Sequence, residues 1–297
     1  MVAGSCYLPL NASILVHLYK CGGHVLPTTQ YGIFTELVCN RILHHLKKTQ
    51  YNIDKIESLD ELPPAVDGPF QQLCEIAYKG VMENKVTFDL GSCFNTLGLL
   101  QGVESFAACG KSHSYNFLHL SIQELLAAVY IATQLEQSQQ VAKFRKLFGQ
   151  ARFSAVFQFY AAKTKFRTPG IDEVVIEAVQ KCLQNRRTTQ LTSKSNDSDP
   201  NSGASDFGHK PQPLLLSLLH CLFEAQNSTL CQSVVKESDL KLNLFGISLS
   251  PADCLSVGYF LTHCKDFEVR LPYCSIGDDE CRILFRQGEV YNLQFLE

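Results

Sequence analysis

Apolar side chains recur every three or four positions in several segments of the chain, which is the spacing of one buried face on an α-helix. The clearest segment predicts a helix from about Gln30 to Lys48, with basic residues in its last turn, where they favour the helix dipole. A shorter helix over 9–20 opens at Pro9, a suitable first helical residue, and ends before a pair of glycines. Two helices are therefore predicted at the start of the sequence.

The pattern then changes from helices alone to a helix followed by short strands. A third helix is predicted from about Gly68 to Lys79, ending at the glycine that follows. Strand-like pieces come next at about 86–88, 98–103 and 115–120, and a turn-rich stretch, CGKSHS, separates the last two. A helix followed by a small hairpin is typical of a winged-helix domain.

The junction at Leu120 predicts where the next helix begins. Ser121 and Glu124 have the S-x-x-E spacing of a capping box, in which each side chain accepts a hydrogen bond from the other residue's backbone N–H. Leu120 and Leu125 stand at the staple positions that fix how the chain enters the helix. We therefore predict that a strand ending at Leu120 turns directly into the helix LSIQELLAAVYIATQL.

The next part of the sequence is helical, with one interruption. Apolar residues keep the helical spacing from 140 to 186 and again from Leu214 toward Val235. Between these segments, residues 187–213 are rich in Ser, Asn, Asp, Gly and Pro and contain almost no large apolar side chains. That composition predicts a disordered loop.

After Leu240 the sequence repeats itself. The pattern L-x-L-x-x-I-x-L that begins at Leu242 is matched by V-x-L-x-x-C-x-I that begins at Val269, an offset of 27 residues (269 − 242). This offset lies in the range of leucine-rich repeats, about 20 to 29 residues. A third strand is predicted at 292–295. Because such repeats bury their apolar faces only against one another, we expect the array to continue in a longer protein.

Composition narrows the possible functions. The sequence has 26 basic and 29 acidic side chains and a net charge of −3, which favours neither nucleic acid nor a membrane surface as partner. No apolar run approaches the roughly 20 residues of a membrane span, and no charged segment of a secretory signal opens the chain. The 13 cysteines include no C-x-x-C pair, so we interpret them as buried apolar residues rather than metal ligands. A cytoplasmic protein is expected.

One segment resembles a known family. The stretch over 115–128, YNFLHLSIQELLAA, closely resembles the F-x-H-x-S-F-Q-E-F-x-A-A signature at the end of the winged helix in NACHT-containing NOD-like receptors. It departs from that signature at Ile122 and Leu125, where the family usually has Phe. YLPLNASILVHLY resembles the family's proline-led helix, LLHCLFEAQN resembles the close of its second helical domain, and the repeats look like the ribonuclease-inhibitor type. The resemblance covers nearly the whole chain.

The resemblance implies a mainly α fold: a helical domain and a winged helix with a short β hairpin, followed by the start of an α/β leucine-rich-repeat solenoid. Residues 1–58 would be the end of NACHT helical domain 1, and 59–135 the winged-helix domain. Residues 136–238 would be helical domain 2, and 239–297 the first, incomplete leucine-rich repeats. In this family a P-loop domain, absent from this sequence, holds ADP or ATP.

The resemblance also implies two nucleotide contacts. His119 matches the winged-helix histidine that touches the β-phosphate of ADP, and Pro9 matches the proline that packs on the adenine. Each residue has a simpler interpretation. His119 alternates with Tyr115 and Phe117 on a predicted strand face, so it could be a core histidine, and Pro9 could serve only as a helix start. We expect ADP or ATP only together with the missing P-loop domain, and no cofactor for this chain alone.

The triplet Gly110-Lys111-Ser112 does not match the sequence pattern of a nucleotide-binding loop. A Walker A sequence needs a glycine five residues before Gly110, where Ser105 stands, and a helix rather than a strand-like segment after it. We interpret the triplet as a hairpin tip and expect no enzyme.

The expected function is that of a regulatory fragment of a cytosolic innate immune receptor with protein partners. The alternative is a stand-alone interaction or decoy module.

Overall fold

The chain is mainly helical in a computed structural model, as predicted. The described residues fall into two units, one within Val2–Lys165 and the other within Phe166–Glu297. None of the described helices is long and apolar enough to cross a membrane. The structure describes residues 14–16, 19–20, 27–49, 53–90, 96–107, 110–180, 213–238, 241–243, 248–264, 267–271, 274, 276–286 and 293–294.

The first unit combines helices with one small antiparallel sheet. Its sheet has the strand order β1-β3-β2, and residues 14–16 and 19–20 are helical, within the predicted first helix. The elements are α1 (Gln30–Lys48), α2 (Pro64–Glu83), β1 (Thr87–Phe88), β2 (Leu100–Ala107), β3 (Gly110–Phe117), α3 (Leu120–Gln134), α4 (Gln137–Leu147), a 3-10 turn (Ala151–Phe153) and α5 (Ser154–Thr164).

Helix α1 has the predicted bounds. Thr29 caps its amino-terminal end, because the Thr29 hydroxyl oxygen accepts a hydrogen bond from the Gly32 N–H at 3.2 Å. The apolar positions that predicted the helix form its buried face, including Ile33, Phe34 and Ile42. The spacing of these residues and the cap together explain why this prediction was accurate.

Helix α2 is longer than predicted at both ends. It begins at Pro64, whose ring suits the first turn, and it runs through Gly80 to Glu83, ending at Asn84 in the left-handed region (φ 57°). The prediction that Gly80 ends the helix was wrong. Gly80 instead lies fully inside the packing between α2 and α3.

The hairpin of β2 and β3 is longer than the predicted strands. Its register runs from Leu100 opposite Phe117 to Ala107 opposite Gly110, with only residues 108 and 109 between the strands. Gly110-Lys111-Ser112 are therefore the first residues of β3, at the turn end of the predicted hairpin, and not the turn itself. Small and polar residues did not end the strands, because the ladder is formed by backbone groups.

The contact of α2 with α3 depends on the missing side chain of Gly80. A Cβ atom at Gly80 would lie 2.5 Å from Gln123 Nε2 and 2.5 Å from Phe88 Cζ. The buried Gln123 side chain donates to the Lys85 carbonyl oxygen at 2.8 Å, which joins α3 to the segment that follows α2. The absence of a side chain at Gly80 thus allows the Gln123 amide and the Phe88 ring to pack directly against the α2 backbone.

A buried polar contact joins α3, α4 and α5. Tyr160 of α5 donates its hydroxyl hydrogen to Gln140 Oε1 at 2.9 Å. The Gln140 amide nitrogen donates in turn to the carbonyl oxygens of Ala132 and Leu135 at 3.3 and 2.9 Å. Because the Gln140 amide bonds backbone groups at the end of α3, it fixes how the chain turns into α4.

The second unit contains helices and a parallel sheet of order β4-β5-β6. Residues 171–180 are helical, and the predicted helix over 214–235 is two helices, broken at Gln226 (φ 50°). The predicted loop over 187–213 lies outside the described residues, except Pro213, which begins a helix. The elements are α6 (Pro213–Ala225), α7 (Ser228–Ser238), β4 (Lys241–Asn243), α8 (Pro251–His263), β5 (Glu268–Arg270), α9 (Asp278–Arg286) and β6 (Leu293–Gln294).

The predicted 27-residue offset is the offset at which β4 and β5 pair. Leu242 lies opposite Val269 in a parallel register, and helices α8 and α9 begin 27 residues apart (278 − 251). The next pair has a shorter offset, since Val269 lies opposite Leu293, 24 residues later (293 − 269). Each described strand is thus followed by the next one through a helix, in two consecutive β–α units.

Helix α8 is capped by Ser250 and Asp253. The Ser250 Oγ accepts from the Asp253 N–H at 3.2 Å, and Asp253 Oδ2 accepts from the Ser250 N–H at 2.8 Å. Asp253 Oδ1 also lies 2.9 Å from Nε2 of His220 in α6. Burial acts to raise the pKa of Asp253, but hydrogen bonds from His220 and Ser250 outweigh it and lower the pKa. The capping carboxylate therefore also ties α8 to α6.

Substitution of Gly80 by alanine should destabilise the first unit. The added methyl group overlaps Gln123 and Phe88, so we expect the free energy of unfolding to fall by about 1–3 kcal/mol. Gly68→Ala in the same helix is the matched control, because no atom lies within 4 Å of a Cβ there, and it should leave stability unchanged or raise it by up to about 1 kcal/mol, since alanine favours a helix more than glycine. Urea denaturation followed by far-UV circular dichroism measures both; equal effects would contradict the packing role of Gly80.

Removal of the Asp253 carboxylate should destabilise the second unit. Asp253→Ala deletes a helix cap and the partner of His220, so we expect a loss of about 2–4 kcal/mol. Asp279→Ala is the control, since Asp279 lies in the first turn of α9 and forms only an exposed pair with Arg282, worth about 0–1 kcal/mol. Hydrogen exchange of the α8 amides measures the difference, and similar protection in both variants would refute this account of the cap.

Candidate functional site

His119 lies between the sheet and helix α3 and caps that helix. Its backbone is extended (φ −153°, ψ 148°), and its Nδ1 accepts a hydrogen bond from the Ser121 N–H at 3.1 Å. The prediction that Ser121 is the N-cap was therefore wrong by two residues. Strand β3 ends at Phe117 rather than Leu120, so the helix begins earlier and the imidazole takes the place of the serine hydroxyl.

The predicted staple between Leu120 and Leu125 does not form. Leu125 is buried, but Leu120 is 51% exposed. The residue that would precede the helix cap in a staple is Leu118, which is 39% exposed. The start of α3 is thus fixed by the His119 cap and not by a hydrophobic staple. Two large apolar side chains, Leu118 and Leu120, remain at the surface there.

His119 is not a core residue, contrary to the alternative drawn from its alternation with Tyr115 and Phe117. Phe117 ends the strand and is buried against Phe88, with ring centroids 5.7 Å apart and an interplanar angle of 84°. His119 follows beyond the strand and is largely exposed. The alternation fails because the strand face does not extend to residue 119.

The imidazole of His119 stacks on an aromatic ring of α1. Its centroid lies 6.2 Å from that of Phe34, with an interplanar angle of 18°, and Phe34 packs edge-on against Phe159 of α5. Partial burial lowers the pKa of His119, which favours the neutral ring. Since Nδ1 accepts the Ser121 N–H, the proton of the neutral ring belongs on Nε2. The site therefore offers an N–H donor.

The remaining residues considered as possible binding residues are Pro9, Lys111 and potential metal ligands. Pro9 lies outside the described residues. Lys111, part of the apparent nucleotide triplet, pairs with Phe106 inside the β2–β3 hairpin, and the chain continues as a strand to Phe117. In the described part of the chain, no group of three or more His, Cys, Asp or Glu side chains could hold a metal ion.

Glu124 has an unusual protonation state. The half-buried carboxyl group lies in α3, and burial raises its pKa to about 7, although a hydrogen bond with Ser121 acts in the opposite direction. The sequence pattern marked Glu124 only as a capping residue. Its ionisation could not be inferred from the pattern, because the surrounding groups come from other parts of the chain.

A surface cavity of about 310 Å³ lies next to Glu124. Its wall is formed by the end of α2 and the residues after it, the first turn of α3, and the start of α5 with the preceding 3-10 turn. Two cations, Lys85 and Arg152, and two exposed apolar side chains, Val86 and Leu120, contribute to it. The site has no signature in the sequence, because its residues come from three separate segments.

No protein-family model matches this sequence, and no curated protein matches it either.

Neutralisation of Glu124 should remove a pH dependence of stability. The folded-state pKa of about 7 lies above the ordinary 4.5, so the stability is fully present below pH 4.5 and falls as pH rises through 7. Glu124→Gln should therefore equal the wild type near pH 5 and exceed it at pH 8 by about 1–2 kcal/mol, a value reduced for partial exposure.

The measurement is urea denaturation at pH 5 and pH 8, followed by circular dichroism. Glu57→Gln serves as control, because the Glu57 side chain is 72% exposed and pairs only weakly with Lys55. This control should keep the wild-type pH dependence. If the Glu124→Gln protein kept it as well, burial would not perturb Glu124.

Proposed function

We propose that this chain is a regulatory segment of a cytosolic NOD-like innate immune receptor. It would contribute autoinhibition in the ADP-bound state and the base of a leucine-rich-repeat sensing domain. The observation that carries the proposal is the geometry of His119, which lies in the segment that resembles the family signature. The imidazole caps α3, stacks on Phe34 of α1 and offers a donor at Nε2.

The surroundings of His119 suit a phosphate group. The first turn of α3 contains no acidic residue, and the amino-terminal end of a helix carries positive potential. A neutral imidazole with its proton on Nε2 can donate to a β-phosphate oxygen. Under this proposal a P-loop domain binds the nucleotide, His119 contacts its β-phosphate, and Pro9 packs on the adenine. Replacement of ADP by ATP would break the His119 contact and open the switch.

The second unit supports the other half of the proposal. Parallel strands paired 27 residues apart, each followed by a helix, are what a leucine-rich-repeat array requires. In the proposed receptor, β4 and β5 begin the solenoid that senses the ligand. The His220–Asp253 contact would hold the first repeat against helical domain 2. Protein partners would bind the repeats and neighbouring receptor chains.

Calorimetric titration with ADP tests the proposal. The titration compares this chain alone with the chain joined to an upstream P-loop domain. We expect binding only in the joined form, and we expect His119→Ala to weaken it about tenfold or more, since a hydrogen bond to a charged group contributes about 1.5–3 kcal/mol.

A second variant separates the ligand contact from the helix cap. His119→Ser retains an N-cap acceptor but lacks the imidazole, so it should lose ADP affinity as His119→Ala does while keeping more of the stability of α3, about 1 kcal/mol. Unchanged ADP affinity in His119→Ser would refute the role of His119. Absence of ADP binding in both forms would favour the alternative, a stand-alone interaction or decoy module without nucleotide.

A further inference from the structure

The cavity beside Glu124 has a charged side that nothing in the proposed ADP contact uses. Lys85 and Arg152 both line it, although they lie 67 residues apart in sequence (152 − 85), and His119 does not line it. The Arg152 guanidinium lies over the Phe153 ring, 4.5 Å from its centroid, which restrains a long side chain that would otherwise be mobile. Two cations are thus placed at one concave surface.

The same cavity has an apolar side. Val86 and Leu120 are 55% and 51% exposed, and both contribute to its wall. Exposed large apolar side chains next to two cations form a surface that suits a molecule with both an apolar body and a negative charge. A volume of about 310 Å³ is at the lower end of the usual range for small-molecule pockets, which is about 300–1,000 Å³.

The remaining groups of the wall also favour an anion. Glu124 is the carboxyl group of this wall, and burial favours its neutral form below about pH 7, when it can donate a hydrogen bond. The first turns of α3 and α5 both contribute residues and contain no acidic side chain, so their dipoles add positive potential. The cations and the apolar side chains, rather than these helix ends, define the site.

We propose that the cavity lined by Lys85, Arg152, Val86 and Leu120 binds a small phosphate monoester with an apolar body. The planar guanidinium of Arg152 matches two phosphate oxygens at once, and Lys85 adds a second charge. Val86 and Leu120 contact the apolar body. This site is separate from the proposed ADP contact at His119, so either proposal can fail without the other.

The test is calorimetric titration of the full chain with phenyl phosphate at pH 6.5, beside inorganic phosphate and benzoate. We expect saturable binding of phenyl phosphate, at least about fivefold weaker binding of inorganic phosphate, which lacks the apolar body, and weaker binding of benzoate, which carries less charge. Equal affinity for phenyl phosphate and inorganic phosphate, or tighter binding of benzoate, would overturn the assignment of the ligand class.

Variants locate the binding. Arg152→Gln and Lys85→Gln should each lower the affinity for phenyl phosphate about fivefold to tenfold. The matched control Lys55→Gln removes the same charge from a lysine that is 73% exposed elsewhere, and it should leave the affinity unchanged. An equal loss in Lys55→Gln, or no loss in Arg152→Gln, would show that binding is not in this cavity.

Two further variants complete the test. Glu124→Gln should raise the affinity several-fold at pH 8, where the wild-type carboxylate repels the ligand, and should change it little at pH 6. His119→Ser should leave phenyl phosphate binding unchanged, which distinguishes this site from the proposed nucleotide contact. Loss of binding in His119→Ser, or no gain at pH 8 in Glu124→Gln, would contradict the proposal.

Discussion

The close approach of α2 and α3 at Gly80 is the constraint on which the first unit depends. Because no side chain stands there, Gln123 can reach the Lys85 carbonyl oxygen and Phe88 can occupy the same space. This contact sets where α3 begins relative to the end of α2. Both candidate sites follow from it, since His119 caps α3 and the cavity lies between α3 and the residues after α2.

The capping role of His119 gives the imidazole a defined chemical state. A histidine at a helix start could be a donor, an acceptor or a cation, but the hydrogen bond from the Ser121 N–H assigns Nδ1 as the acceptor. Stacking on Phe34 keeps the ring in place, and partial burial lowers its pKa and so favours the neutral form. One backbone hydrogen bond thus determines which nitrogen is available for a ligand, and it does so before any ligand is bound.

The parts of the fold that depend on local pattern were predictable, and the parts that depend on contacts between distant segments were not. The bounds of α1 and the 27-residue pairing offset follow from periodicity, which sequence displays directly. The start of α3 was misplaced because Ser121 and Glu124 offered a plausible cap, while the true cap depends on where β3 ends.

The cavity could not be predicted for a similar reason. Lys85, Glu124 and Arg152 each look like ordinary surface charges in sequence, and only the packing of α2, α3 and α5 brings them to one wall. The raised pKa of Glu124 is a property of that packing as well. The resemblance to NOD-like receptors identified His119 as a candidate, but it suggested neither the helix cap nor this second site.

The contact between His220 and Asp253 has a consequence for the order of folding. Consecutive β–α units pack mainly on their neighbours in sequence, so the unit with an additional contact outside the series is the most favourable place for structure to nucleate. Asp253 gives α8 such a contact, because it caps that helix and binds a side chain of α6 at the same time. Assembly of the β–α units should therefore begin at α8, where it packs on α6, and continue toward the carboxyl terminus.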